Sequence, residues 1–426
     1  MLAVWVNGIR AAEIGTGDSG GFNLCYTNDW LAYPYCYPFS PHLPLGVISS
    51  GADVSNFFAN LLPEGTALEV AASMHNLSRH DAFGLLARIG REAAGALIIA
   101  PEGEAIAVDA DLRPLSREEL SHRIDARPLI PFAAWDGKIR LSIAGYQDKL
   151  AVYLDEADQM YLPGGSASST HIIKPDNSNP AFPFMPANEY FCMRLAAACK
   201  LQTPSVVLQH IPQALYMVER FDRKRTLSGP AASVTRLHQI DLCQVLNLSV
   251  DMKYQQAYEF SAQGANYSDL FAAAASTTQP LKTKMALMRA IVFNYLIGNT
   301  DAHAKNFSFF LDHAGLRLAP FYDLVSGTIY GLKEMALFIG REENIDLISA
   351  LDWMELSKNT ALHPALLATE LRTQAKTWRQ VAPTLLDDPA YRPDEKHFLQ
   401  GMLTEMQARV QLMEQQAQML KELTRA

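Results

Sequence analysis

Asp301 and Asn306 stand five residues apart in the segment Gly298-Asn-Thr-Asp-Ala-His-Ala-Lys-Asn306. A carboxylate and a carboxamide at that separation are the base and metal-binding pair of kinase catalytic loops. The Asp accepts the proton of an attacking hydroxyl, and the Asn carbonyl ligates Mg²⁺. Seventeen residues further on, Phe321-Tyr322-Asp323 offers a second carboxylate, placed to be another metal ligand. Hard oxygen ligands suit Mg²⁺, which takes few protein ligands and completes its shell with water and phosphate oxygens. The D-x-x-x-x-N spacing alone equally fits an Asx-turn followed by a helix cap. The weight therefore rests on what accompanies it.

The loop lies between an apolar, helix-like stretch at 285–297 and apolar strands at 307–311 and 316–319, so buried elements hold it on both sides. Upstream, a short strand at 171–174 ends on Lys174 and is stopped by Pro175. Glu189 follows fifteen residues later, at the start of a helix at 188–200, where it could orient Lys174 as an ion pair. Residues 142–149 read as strand, turn and strand with Gly145 in the turn; backbone N–H groups there, with Lys149, would face anionic oxygens. An ordinary hairpin would look the same. Glu219, Arg220 and Phe221 end a strand before the basic Asp222-Arg-Lys-Arg225 and could form a hinge that meets adenine through the backbone. In chain order the set is loop, Lys, Glu, hinge, Asp, Asn, Asp.

Six blocks carry a family resemblance: SIAGYQDKLAVYL (142–154), STHIIKP (169–175), NEYFCMRLA (188–196), VERFDR (218–223), GNTDAHAKNFSFF (298–310) and LAPFYDLVS (318–326). They resemble the signature blocks of HipA serine/threonine kinases, the toxins of type II toxin–antitoxin pairs. FFANLLPEG (57–65) and FGLLARIGREAAGAL (83–97) extend the likeness through the amino-terminal region. The resemblance implies an α+β, bilobal, protein-kinase-like fold with a small β-containing amino-terminal subdomain (1–130). A kinase N-lobe-like part with the Gly-rich loop (131–235) and a mostly helical C-lobe with the catalytic loop (236–426) would follow.

By the same resemblance the base falls on Asp301 and the Mg²⁺ ligands on Asn306 and Asp323. The ATP contacts fall on Ala144, Gly145, Tyr146, Gln147, Asp148, Lys149, Lys174, Glu219, Arg220, Phe221, His303, Ala304, Lys305, Asn306, Tyr322 and Asp323. Ser142 matches the family serine whose autophosphorylation expels the loop and silences the kinase. The implied partners are a HipB-like helix-turn-helix antitoxin, operator DNA through that antitoxin, and a protein substrate, an aminoacyl-tRNA synthetase. Tyr146 stands where the best-known member has Ala, and Ala302 where Gly is common. No expected catalytic residue is missing, so an active enzyme using ATP and Mg²⁺ is expected. One rival reading is an antitoxin-bound corepressor with little or no kinase activity. Another is a kinase for lipids or small molecules.

The rest of the chain is organised to suit. Strands are expected at 2–6, 9–14 and 22–27, with a hairpin turn at Asn7-Gly8. The aromatic run from Phe22 to Phe39 reads either as the core of a small domain or as a partner surface. Helices are expected at 54–62, 66–72, 80–89 and 112–127, the last containing the capping box Ser116-Arg-Glu-Glu. Residues 128–136 suit a boundary, and 162–170, rich in small residues, suits a loop. From 239 onward the chain reads as mostly helical, ending in a periodic helix over 395–423.

Charged side chains number 36 basic against 45 acidic, a net −9, which argues against a protein that coats nucleic acid over its whole surface. A local stripe of Arg372, Lys376 and Arg379 at helical spacing is either a solvated face or a weak candidate for DNA-backbone contacts. Five cysteines form no C-x-x-C pair, and His80, His171 and His238 show no metal-ligand spacing. Without a membrane-length apolar run or a leader-like start, the expectation is a reduced, cytoplasmic protein with no membrane association.

Overall fold

The computed structural model describes residues 1–17, 21–104, 106, 109–127, 132, 134, 135, 138, 139, 148–226, 233–257 and 262–425. Ser142, Ala144, Gly145, Tyr146 and Gln147 lie outside the described residues. The chain forms two compact units. The first comprises 1–178, 210–250 and 309–316; the second comprises 179–209, 251–308 and 317–426.

The first unit opens with an antiparallel sheet. Its strands run, edge to edge, Ser49–Ser50, Phe22–Tyr26, Ile9–Thr16, Leu2–Val6 and Leu97–Pro101. Val4 and Val6 are buried on the Leu2–Val6 strand, opposite Ala12 and Ile9 in its hairpin neighbour. Most of the aromatic run is core: Phe22, Tyr26, Trp30, Tyr37 and Phe39 are buried, while Tyr35 is 55% exposed. Trp30 Nε1 donates to the Tyr37 carbonyl, and Tyr26 Oη to that of Leu43, so the buried polar tips are satisfied.

A second antiparallel sheet follows in the order Gln213–Glu219, His171–Pro175, Leu150–Leu154, Met160–Gly165 and Ala110–Pro114. The helix Arg117–Asp125 covers it, and Leu120 and Ile124 pack with Leu150, Val152, Ile173 and Met217. Two expectations are corrected here. Residues 112–114 are strand rather than helix. The helix begins only after Ser116, whose extended backbone and hydroxyl, accepting from the Glu119 N–H, set the cap. Residues 162–165 are strand rather than loop. The strand pairs with Leu150–Leu154 only at Met160 and Tyr161, so Pro163 sits past those pairs, where its missing N–H is tolerated.

Between these sheets lies a buried ionic cluster. Glu92 bonds Arg220 (3.1 Å), Arg236 (3.0 Å) and the Ser169 hydroxyl (2.6 Å); Asp222 bonds both Arg220 and Arg223 at 2.8 Å. Asp222 also accepts from the Gly95 N–H. Three guanidinium groups face two carboxylates. Burial works to raise the carboxyl of Asp222, but Arg220 and Arg223 outweigh it and hold that group well below the usual range. The excess positive charge shows at Arg223, pushed down to about 9 by burial and by Arg220.

The second unit is built on helices. Pro280–Ile297 is buried along its carboxy-terminal half; Tyr267–Ala275, Pro364–Leu386 and Pro393–Arg425 pack against it, and Met185–Ala198 packs on the latter two. Met402, Met406, Val410 and Met413 form the buried stripe of the last helix. Gln416 ties it inward, accepting from Trp353 Nε1 and donating to Tyr295 Oη and the Ile348 carbonyl. The expectation of a mostly helical region beyond 239 missed a hairpin, Glu334–Ile339 with Glu342–Asn344.

Asp222→Asn leaves two buried guanidinium groups short of a partner and is expected to cost about 3–5 kcal/mol. The measurement is the urea midpoint. Because the folded-state pKa of Asp222 is depressed, its stabilisation is complete above about pH 4 and is lost as pH falls below that. The variant should lose that part of the acid dependence; an unchanged midpoint at pH 7 would contradict the assignment.

Candidate active site

The helix Pro280–Ile297 stops at Gly298, where φ is +71°. A side chain there would meet Thr328 Oγ1 at 2.2 Å, so the left-handed turn and the close approach both demand glycine. The Gly298 carbonyl accepts from the N–H groups of Gly327 (2.8 Å) and Thr328 (3.1 Å). The segment after Asp323 is thereby anchored to the start of the catalytic loop.

Asp301 is exposed, but its backbone is fixed. Its N–H donates to Asn299 Oδ1 (3.0 Å), and its carbonyl accepts from the His303 N–H (2.8 Å) and from Asn306 Nδ2 (2.8 Å). Because Asn306 faces a carbonyl, the atom turned toward it must be the amide nitrogen. Its Oδ1 is left to act as a hard ligand. His303, Ala304 and Lys305 are buried, and residues 304–306 form a single 3₁₀ turn.

Tyr322 ties the second metal-ligand candidate to this loop. Its hydroxyl donates to the Lys305 carbonyl (2.6 Å) and lies 2.8 Å from Ser308 Oγ. Asp323 itself adopts left-handed backbone, φ +57°, which Asp tolerates better than most residues. Asn188, on the helix Met185–Ala198, clamps Ser326 through both its N–H and its carbonyl. Glu189 is the next residue of that helix and is 1% exposed. The second unit thus brings together Asp301, His303 to Asn306, Tyr322 and Asp323.

The first unit holds the other candidates. Lys174 (6% exposed) pairs in register with Tyr216 and lies 5.7 Å from the centre of that ring. Lys149, also buried, immediately precedes the neighbouring strand Leu150–Leu154. Asp148 lies 3.7 Å from Arg127, and burial raises its carboxyl despite that neighbour. Glu219 is exposed, whereas Arg220 is buried in the ionic cluster and its N–H donates to the Thr170 carbonyl. The side chain of Arg220 is thus committed to the protein. Phe221 packs edge-on against Phe310.

Among the described residues no group of three or more His, Cys, Asp or Glu forms a metal cage. A site of one carboxamide oxygen and one carboxylate fits an ion that fills its shell with water and phosphate. Arg379 is engaged by the Glu414 carboxylate and Arg372 by Gln418, both on the last helix; Lys376 is exposed. Sequence reasoning missed Tyr254, whose hydroxyl donates to Asp301 Oδ1 (3.2 Å). It also missed Asn299 and Ser308. Asn299 lies inside the recognised block, but Tyr254 is 47 residues upstream with no local pattern to mark it. No helix is long and apolar enough to cross a membrane among the described residues.

Comparison with known proteins identifies the family. Residues 2–100 match the HipA N-terminal domain, and residues 141–384 match the HipA-like C-terminal domain. The serine/threonine-protein kinase toxin HipA of Shewanella oneidensis is 32% identical over 403 residues, covering 91% of this chain and 90% of that one. The putative kinase Y4mE of Sinorhizobium fredii is 31% identical over 398 residues, covering 91% and 92%. The solved complex of Shewanella oneidensis HipA, HipB and operator DNA contains a chain that superposes with a TM-score of 0.85. It is 31% identical, and 96% of each chain is covered. With its fold and nearly its whole length accounted for in this way, the chain belongs to the HipA family of kinase toxins.

Proposed function

We propose that the protein is an ATP- and Mg²⁺-dependent serine/threonine protein kinase, the toxin of a type II toxin–antitoxin pair. The observation that carries this is the catalytic loop: an exposed carboxylate on a fixed backbone, with the neighbouring Asn306 carbonyl oxygen left to ligate. Asp301 would orient the acceptor hydroxyl and take its proton as the bond to phosphorus forms. Mg²⁺ held by Asn306 and Asp323 would supply neutralisation of charge on the phosphoryl oxygens. Lys149 and Lys174 would hold the nucleotide phosphates, Glu189 would orient Lys174, and the Glu219–Phe221 backbone would meet the base. The remaining nucleotide contacts, Ala144 to Asp148, His303 to Lys305 and Tyr322, complete the set.

Three functional parts, 1–130, 131–235 and 236–426, fit this reading: amino-terminal subdomain, N-lobe and C-lobe. The protein acceptor is an aminoacyl-tRNA synthetase in the cytoplasm, and Ser142 is the self-silencing site. A HipB-like antitoxin would carry the chain to operator DNA, as the likeness to the HipA–HipB–DNA complex suggests. Arg372 and Arg379 are poor candidates for backbone phosphate, because both are already bonded to the last helix.

The test is incubation of the full chain with labelled ATP and Mg²⁺, alone and with cell lysate. Asp301→Asn should lower transfer to both the chain and any lysate protein by about 10²–10⁴-fold and abolish growth arrest. Ser142→Ala should remove label from the chain but keep it on the lysate acceptor. Chelation with EDTA should stop all labelling, and restored Mg²⁺ should return it. A wild-type chain that binds nucleotide and labels nothing would favour a corepressor without kinase chemistry.

A further inference from the structure

Tyr254 touches the candidate base, and nothing in the catalytic-loop motif accounts for it. Its hydroxyl donates to Asp301 Oδ1 at 3.2 Å. Its ring is held on two sides: His303 packs edge-on at 5.4 Å, and Lys253 Nζ lies 5.0 Å from the ring centre. Lys253 is itself buried.

The backbone around Tyr254 is built to fix this contact. The Gln255 N–H donates to the Ala336 carbonyl (2.9 Å), while the Ala336 N–H donates to the Thr300 carbonyl (2.8 Å). The residue after Tyr254 and the residue before Asp301 therefore hang from the same residue of one strand. Gln255 Oε1 also accepts from the Phe338 N–H on that strand. Close to that residue, Gly264 has φ +84°, and a side chain there would meet the Tyr254 carbonyl at 2.1 Å. Glycine at 264 lets the backbone close on Tyr254 and hold it in place.

On the kinase reading above, we infer that Tyr254 is a positioning residue for Asp301. One carboxylate oxygen is held by the tyrosine, so that the other is presented to the acceptor hydroxyl. A fixed backbone leaves an aspartate its side-chain torsions, and a donor on Oδ1 removes that freedom. The 3.2 Å separation is long for a hydroxyl on a carboxylate, as is common before substrate binds, and it shortens in the reacting complex.

The test is steady-state transfer by Ser142→Ala enzyme to full-length Asp301→Asn chain, which keeps Ser142 as the acceptor, with and without Tyr254→Phe. Nucleotide affinity is measured in parallel. The expected result is a kcat lower by about 10- to 100-fold, with KM for the acceptor and affinity for Mg·ATP unchanged within twofold. Equal kcat would overturn the positioning role while leaving the kinase reading intact. A raised acceptor KM at preserved kcat would overturn it as well, by making Tyr254 a substrate contact. No transfer by the enzyme that retains Tyr254 would overturn the kinase reading, and this inference with it.

Discussion

The second unit depends on how one buried helix ends. Pro280–Ile297 must stop abruptly, because the residues that follow have to leave the core and present a carboxylate to solvent. Gly298 makes that stop, and its carbonyl gathers the N–H groups of Gly327 and Thr328. Everything downstream inherits that geometry. Asn299 takes up the Asp301 N–H, Asn306 closes on the Asp301 carbonyl, and Tyr322 bonds the Lys305 carbonyl. Asp323 is consequently tied to the Asp301 loop at both ends of its segment. The rigid scaffold places a polar site, and the apolar helix beneath it bears the cost of burial.

The first unit solves a different problem. It buries two ammonium groups, Lys174 on its strand and Lys149 just before the neighbouring one, where a charge is costly unless paired. The ionic cluster of Glu92, Asp222, Arg220, Arg223 and Arg236 lies at the end of the same sheet and fixes the strand that carries the hinge candidates. Arg220 is the link, since its N–H belongs to the sheet and its guanidinium to the cluster. A structural ion network, rather than nucleotide, accounts for that side chain.

Much of the candidate site was legible because its residues lie close together in sequence. Asp301, Asn306 and Asp323 lie in short blocks whose spacing survives folding unchanged. The amino-terminal hairpins were legible for the same reason, since alternation and Asn7-Gly8 act over a few residues. Where reading failed, local signals conflicted with a distant partner. Residues 112–114 read as part of the helix that begins after Ser116, yet Leu112 pairs with Pro163 in a sheet. The Pro163-Gly-Gly run looks like a loop until that neighbour supplies its register. The hairpin at 334–344 was absorbed into a helical expectation, and with it went the strand that supports Tyr254. That tyrosine reaches Asp301 only through a tertiary contact, and a pattern along the chain cannot show it.

The central claim is that Asn306 and Asp323 make a nucleotide site that works only with Mg²⁺. Calorimetric titration of the full chain with a non-hydrolysable ATP analogue, at a series of Mg²⁺ concentrations, tests it most directly. The wild-type chain should bind tightly with Mg²⁺ and weakly without it. Asn306→Ala and Asp323→Asn should each remove most of that metal-dependent gain and leave the weak binding in place. Metal-independent affinity in the wild type, or a full Mg²⁺ response in both variants, would contradict the account.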